Sequence, residues 1–539
     1  MSSDWVPPFQ LRLIGLRSCQ LGPRFPAWLQ TQKDYWAMDL SHGGIVDILP
    51  DWLWDLSRQI ILLDLSYNQL DGKVPASLRF ASISILILSS NNFYGPLPPL
   101  PSSIEYLDLS NNSFSGDLLP IFAGEPSLLS NLFLSHNLIN GTIPESICTA
   151  RELQAVDLSG NLLSGDLPQC WAEFPSLLAI DLANNNLSGS IPSTMRSLSV
   201  LQTLHLANNS IYGELPESLK YCESLVSLDL GRNRLSGMIP TWIGTLPFLK
   251  ILRLRSNNFV GNIPSELAHL TALQILDLAE NSLSGSIPQG FGSFAAMAST
   301  KEANESLLDA YQSSIRYSID DYGPMGYMLS LLVVMKGRVL EYTKNLQYVR
   351  SIDLSKNELS GEIPPELMNL YGLQSLNMSA NYLTGTIPDG IGGLRLLESL
   401  DLSRNNLMGP IPTSMSVLTS LSHLNLSYNN LSGRIPSGYQ LQTLVDPSIY
   451  MGNPGLCGFP LDRTCLDNRT SNDQNVYCGD GDECGTEMLS FYLGTILGFV
   501  IGFWVICGPL LFNITWRRKY FQLIDRMNCR LMAWIPRKV

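Results

Sequence analysis

The stretch LLDLSYNQLDGKVP, residues 62–75, recurs as AVDLSGNLLSGDLP at 155–168 and as SLDLSRNNLMGPIP at 399–412. Laid over one another, the three give a single template, L-x-L-x-x-N-x-L-x-G-x-I-P. Its asparagine column runs Asn68, Asn91, Asn112, Asn137, Asn161, Asn185, Asn209, Asn233, Asn257, Asn281, Asn357, Asn381, Asn405 and Asn429, and from Asn137 to Asn281 the step is always 24 residues. Two earlier copies carry Cys19 and Gly43 in the asparagine place, which brings the count to sixteen. A fixed period of this length means that each copy is one supersecondary unit that buries its apolar face only by stacking on the next.

Each position of the template has a mechanical reason. Side chains alternate along a strand, so the leucines of L-x-L point inward and the residues between them face out and are free to vary. The asparagine amide carries two donors and an acceptor, and it can satisfy backbone groups where each coil turns away from its strand. Glycine supplies unusual backbone angles at the turn, and proline fixes the chain that leaves it. The unit is a leucine-rich repeat. The expected fold is an α/β repeat solenoid, a curved array whose concave face is a parallel sheet; sixteen strands at about 4.8 Å predict a sheet roughly 75 Å long. The L-x-G-x-I-P half resembles the plant-type class of these repeats, a resemblance that covers residues 11–436.

The period breaks once. From Asn281 to Asn357 there are 76 residues where 24 are expected. The insertion, placed at 290–347, loses the leucine template and gains tyrosines at 311, 317, 322, 327 and 342. Long insertions in a rigid scaffold are functional or disordered, and the apolar run Met328 to Met335 reads as a strand that could dock on the solenoid. The candidate ligand-binding residues are Tyr317, Asp320, Asp321, Tyr322 and Lys336 in this island, with Arg232, Arg253 and Arg255 on the concave side. Most repeats place an aspartate between the two leucines (Asp157, Asp181, Asp229, Asp277), whereas one places Arg253. The three arginines form a basic spot that either binds an acidic ligand group bidentately or neutralises the stacked aspartates through ion pairs along the sheet; the second reading is the simpler.

Residues 488–516 are 29 consecutive uncharged positions, and about 20 suffice to cross a bilayer. Arg517, Arg518 and Lys519 follow the segment and Asp480, Asp482, Glu483 and Glu487 precede it, so the positive-inside rule predicts one transmembrane helix with the repeats outside, a type I topology at the plasma membrane. Gly494, Gly498 and Gly502 recur every four residues, a stripe of the kind that lets two membrane helices approach closely. The 23 residues behind the helix are too few for an ordinary domain of about 50, so any signal is expected to pass through a partner.

The net charge of −13 divides into about +6 after residue 516 and −19 before it, and an acidic body excludes a nucleic-acid surface. No Gly-x-Ser-x-Gly, His-Glu-x-x-His or phosphate-loop motif is present, so no catalytic residue, metal ligand or cofactor is assigned and the chain is not expected to be an enzyme. Cys457, Cys465, Cys478 and Cys484 cluster before the apolar segment without a Cys-x-x-Cys, which favours disulfides over a zinc site. Glycosylation sequons stand at Asn111, Asn140, Asn186, Asn208, Asn304, Asn377, Asn425, Asn430 and Asn468; Asn377 and Asn425 fall inside expected strands.

The layout of repeats, island and four further repeats, with VVMKGRVLEYTKNLQYVRSIDLSKNELSGEIP at 333–364, resembles the plant leucine-rich-repeat receptor-like proteins of immunity. That resemblance implies that the island and neighbouring concave strands hold an extracellular peptide, glycan or protein ligand, that the last four repeats meet a co-receptor kinase, and that the membrane helix binds an adaptor receptor-like kinase. A developmental peptide-hormone receptor subunit shares every feature named. NPGLCGFPLDRTC at 453–465 resembles the C-terminal cap of such arrays, with Cys457–Cys465 as the implied bridge. The expected organisation is therefore about twelve repeats in 1–289, the island at 290–347, four repeats in 348–436, a cap and acidic juxtamembrane stretch at 437–487, the helix at 488–516 and a basic tail at 517–539. The start, MSSDWVPPFQLRLIGLRSC, carries neither a signal peptide nor a cysteine-paired cap, which reads as a truncated copy, nonfunctional or a decoy, whose first coil would expose Leu11, Ile14 and Leu16.

Overall fold

The computed structural model describes residues 6–465 except 56–59, 76–81, 125, 300–316, 320–322, 326–329, 344 and 439, together with no residue of 466–539. The segment expected to cross the membrane, with its glycine stripe, and Cys478 and Cys484 therefore lie outside the described residues. Among the described residues no helix is long and apolar enough to cross a membrane.

Each template copy forms a short strand at L-x-L, and these strands join in one parallel sheet of sixteen, from Leu13–Gly15 to His423–Asn425, in strict chain order. The inward leucines, Leu63, Leu65, Leu204, Leu206, Leu252 and Leu254 among them, are completely buried in one continuous core. Each coil then turns at the asparagine. Asn257 shows the pattern: its Oδ1 accepts from Leu235 N at 3.0 Å, and its Nδ2 donates to Leu230 O of the coil before and to Leu254 O and Arg255 O of its own, at 3.0, 3.0 and 3.3 Å. The same set of bonds runs from Asn68 to Asn429 and continues to Asn453 in the cap. Asn453 stands 24 residues after Asn429, so the period carried the signal for this last rung.

Beyond the asparagine, the L-x-G half adds a second strand per coil, which the leucine pattern did not announce. Among the described residues these strands form three lateral parallel sheets, two of six strands and one of three. The glycine there sits in the left-handed region, with φ of 82° at Gly237, a conformation that costs glycine nothing. The proline that follows starts a short 3-10 turn on the outer side, such as Thr241–Thr245 after Pro240. The residue before each asparagine also has positive φ, from Ser18 at 58° to Tyr428 at 56°.

The coil that opens at Ile275 runs on through the turns Gln289–Ser293 and Ala295–Ala298, past residue 290 where the island was expected to begin. Phe291, Phe294 and Met297 fill the core there in place of leucines, which is why the template fades before the coil ends. At the other end, the strands Ile275–Asp277 and Ser351–Asp353 pair directly, and Asn357 bonds Leu278 O across the break. The sheet thus closes over the insertion as if it were absent. At the N-terminal end, Ile14 is buried rather than exposed and Leu11 and Leu16 are half-buried. The Gln32 side chain folds over this coil, accepting from Leu11 N at 2.8 Å and donating to Phe9 O at 3.1 Å.

Among the described residues there are two disulfides. Cys457–Cys465 closes the cap, and Cys148–Cys170, unassigned from spacing, ties two adjacent coils. Replacing Asn257 by Ala removes four hydrogen bonds and leaves buried carbonyls unsatisfied, so unfolding followed by urea titration should show a loss of about 2–3 kcal/mol; an unchanged midpoint would contradict the bridging role.

Candidate functional site

The residues between the inward leucines form a column up the concave face, in register from strand to strand: Asp157, Asp181, His205, Asp229, Arg253, Asp277 and Asp353. Stacked like charges in adjacent strands repel, and the column resolves this in two ways. Where a serine stands two residues on, its amide and hydroxyl both donate to the aspartate, as from Ser159 to Asp157 (3.0 and 2.6 Å) and Ser355 to Asp353 (3.0 and 2.6 Å). Asp181, Asp229 and Asp277 are followed instead by Ala183, Gly231 and Ala279, which offer only an amide. Those three are the acids that receive cations. His205 Nδ1 lies 3.5 Å from Asp181, Arg253 bridges Asp229 (2.6 Å) and Asp277 (3.3 Å), and Arg255 reaches Asp277 at 3.1 Å and Glu280 at 3.5 Å. Gly231 leaves room for this, since a Cβ there would stand 3.1 Å from the Arg255 chain.

Arg253 and Arg255 are each only 6% exposed, and both are engaged by carboxylates. Arg232 is exposed on the rim. Burial works against a charge on His205, but the hydrogen bond and charge of Asp181, with Asp229, hold its pKa above the ordinary value. Burial, with the neighbouring Asp181, pushes Asp157 up to about 7.

Asp181, His205 and Ser227 have the connectivity of a hydrolytic triad, with His205 Nε2 2.8 Å from Ser227 Oγ. Ser227 is 0% exposed, so the hydroxyl is closed to any substrate and serves the column as a hydrogen-bonding partner.

The island places a hairpin, Leu331–Met335 with Arg338–Tyr342, over this face. Its two-residue turn has φ of 56° at Lys336 and 68° at Gly337, the twist that suits a tight hairpin. Leu331, Val333 and Met335 are buried in a cluster that includes Val226, Ile251 and Ile275 of the sheet. The turn rests on later repeats: Lys336 Nζ pairs with Glu398 at 2.7 Å and Lys336 N donates to Ser399 Oγ at 3.3 Å. The hairpin's other face, Leu332, Val334, Val339 and Glu341, walls a cleft of about 240 Å³ whose floor is Asp181, His205, Asp229, Arg253 and Arg255 and whose rim is Asn184, Asn208 and Arg232. Tyr317 lies in a two-stranded piece with Gly323–Met325; Asp320, Asp321 and Tyr322 lie outside the described residues.

Of the sequon asparagines, Asn111, Asn140, Asn186, Asn208 and Asn430 are exposed, while Asn377 and Asn425 end concave strands, half-buried, each accepting from the serine two residues on. Asn304 and Asn468 lie outside the described residues. The cleft's apolar wall escaped sequence reasoning, although the apolar run Met328 to Met335 had marked a strand; only the fold shows which face of it meets the sheet.

Removing Asp229 leaves Arg253 and His205 short of an acid in a buried site. Asp229→Ala is expected to cost about 3–5 kcal/mol, and the double change with Arg253→Met markedly less; additive losses in a double-mutant cycle would refute the coupling.

Two leucine-rich-repeat family models match the chain, one at residues 200–259, 223–283 and 372–431 and the other at 103–124, 128–150, 176–198 and 348–370. The chain is 43% identical over 97% of its length to Receptor-like protein EIX2 of Solanum lycopersicum and spans about half of that protein, 49%. It is 35% identical to Receptor like protein 23 of Arabidopsis thaliana over 20% of this chain and 12% of that one. Among solved structures it resembles the Arabidopsis receptor kinase HAESA in complex with the peptide hormone IDA and the co-receptor SERK1, with a TM-score of 0.63 and 29% identity over 83% of this chain and 69% of that one. A TDR receptor matches with a TM-score of 0.60 and 25% identity over 76% of this chain and 68% of that one. The chain is a leucine-rich-repeat protein that resembles the plant receptor-like proteins over 97% of its own length.

Proposed function

We propose that the chain is a cell-surface receptor subunit of plant defence that binds an extracellular peptide, or an extended segment of a microbial protein, in the cleft between the island hairpin and the concave column. The observation that carries this reading is the cleft's two-sided chemistry. One wall is aliphatic (Leu332, Val334, Val339) and the opposite floor is polar and charged, which matches an extended chain that presents apolar side chains to one side and backbone groups to the other. Among the described residues no Phe, Tyr or Trp lines it, and its only rings are the imidazoles of His136 and His205. The HAESA complex, which holds a peptide hormone and a co-receptor, supports the same assignment. Arg232 on the rim and Glu341 on the hairpin are the charged groups that would set the register of the ligand.

In this reading the receptor has no catalytic activity. Residues 488–516 cross the plasma membrane with the repeats outside, and Gly494, Gly498 and Gly502 pack against the membrane helix of an adaptor receptor-like kinase. A co-receptor kinase docks on the last four repeats, and exposed sequons such as Asn140, Asn186 and Asn430 carry glycans.

The test uses the receptor expressed in leaves, challenged with microbial culture filtrate before and after protease treatment. The filtrate response should vanish on proteolysis and should fall at least tenfold in a Val339→Glu receptor that reaches the membrane normally. A response that survives proteolysis, or is untouched by Val339→Glu, would overturn the reading. Changing Gly494, Gly498 and Gly502 together to Leu should abolish co-precipitation of the adaptor kinase; undiminished capture would sink the pairing role.

A further inference from the structure

The strands Ile275–Asp277 and Ser351–Asp353 are neighbours in the sheet although the whole island separates them in sequence. Among the described residues this seam is the one place where adjacent coils are not joined by a short connection, so it is held by noncovalent contacts over a long loop. At its centre Asp277 and Asp353 are register partners, and both are nearly completely buried, 4% and 3% exposed. Asp277 is well supplied: its Oδ2 accepts from Arg253 Nε and Arg255 Nη1. Asp353 is not. Its Oδ1 accepts from Ser355, but among the described residues its buried Oδ2 has no hydrogen-bond partner, and the nearest cation, Arg255 Nη1, stands 3.9 Å away.

The other charged groups around this point are already committed. From the preceding strand come Arg253, shared with Asp229, and Arg255, shared with Glu280. Glu280 is itself bonded by Lys356 at 2.8 Å and by Ser256. The following strand offers Asn377, uncharged, and beyond it Asp401. The island hairpin brings Lys336, engaged by Glu398, and the exposed Arg338 and Glu341. Nothing on these elements supplies a donor to Asp353 Oδ2. An ionised buried carboxylate oxygen without a donor is costly, whereas a protonated one becomes a donor itself.

We propose that Asp277 and Asp353 share one proton, so that the seam where the island splits the array is a proton-dependent latch, closed in acid and slack near neutrality. Burial, together with the charge of Asp277, holds Asp353 up at about 6 against an ordinary 3.8. The folded chain therefore keeps a proton that the unfolded chain has lost between those values. The stabilisation is complete below an ordinary aspartate pKa and is gone once the pH passes the folded value. The device regulates the junction at which the island is anchored, and it stands independently of the ligand assignment above.

Hydrogen exchange on the full chain in detergent tests the latch. The Leu278 amide donates to Asp353 O at 2.9 Å and reports the seam directly. After correction for the intrinsic pH dependence of exchange, its opening should increase about tenfold between pH 5 and pH 8. Asp353→Asn, which is neutral at every pH, should abolish that increase while amides distant from the seam, such as Leu158, behave as in the parent. Asp277→Asn removes the like charge and should move the midpoint to lower pH; should Asp353→Asn not fold, this variant decides. An opening independent of pH in the parent chain, or one unchanged in the variants, would overturn the proposal.

Discussion

The structure depends on one side chain repeated: the asparagine whose amide bridges each coil to the one before. A leucine-rich coil has no helix or long strand in which to satisfy its backbone, and its turn is buried between neighbours. The asparagine meets that requirement with one acceptor and two donors, as Asn257 does toward Leu230, Leu235, Leu254 and Arg255. Because two of these bonds reach the preceding coil, the stacking distance and register pass from rung to rung. The sheet, the buried leucines and the concave surface follow from it.

The ladder also explains how an insertion is tolerated. Asn357 finds Leu278 across the island as its counterparts find theirs 27 residues back, so the solenoid closes and the island emerges as a loop from a seam that is already complete. Loop closure grows only slowly more costly with length. The hairpin that returns to the concave face is then free to build a wall over strands from other coils, which creates a cleft that no single repeat contains.

Electrostatics on that face follow the same economy. Aspartates recur between the leucines because a serine two residues on holds each of them; where the serine is lost, at Ala183, Gly231 and Ala279, a cation appears in a neighbouring strand. Arg253 and Arg255 are therefore parts of the sheet first, and any ligand meets a surface whose charges are largely paired. Arg232 and Glu341 at the margins, and the aliphatic hairpin face, remain available.

The sequence by itself determined the repeat, its sixteen concave strands and the identity of every inward leucine, because a period of 24 residues is a purely local signal that each copy states again. It also marked where the period breaks and that LLVVM is a strand. It left the lateral sheets unread, since L-x-G is too short a pattern to show period two, and it passed over Asn453 because the leucines around that rung had changed. What only the tertiary structure decided is which residues meet from coil to coil: the cations opposite the three unsupported acids, the Cys148–Cys170 bridge, Phe291 and Phe294 standing in for leucines, and the seating of the hairpin. Those contacts join residues 22 or more apart, or turn on which face of a strand is covered, and such relations are set by stacking geometry rather than by any residue's own neighbours in the chain.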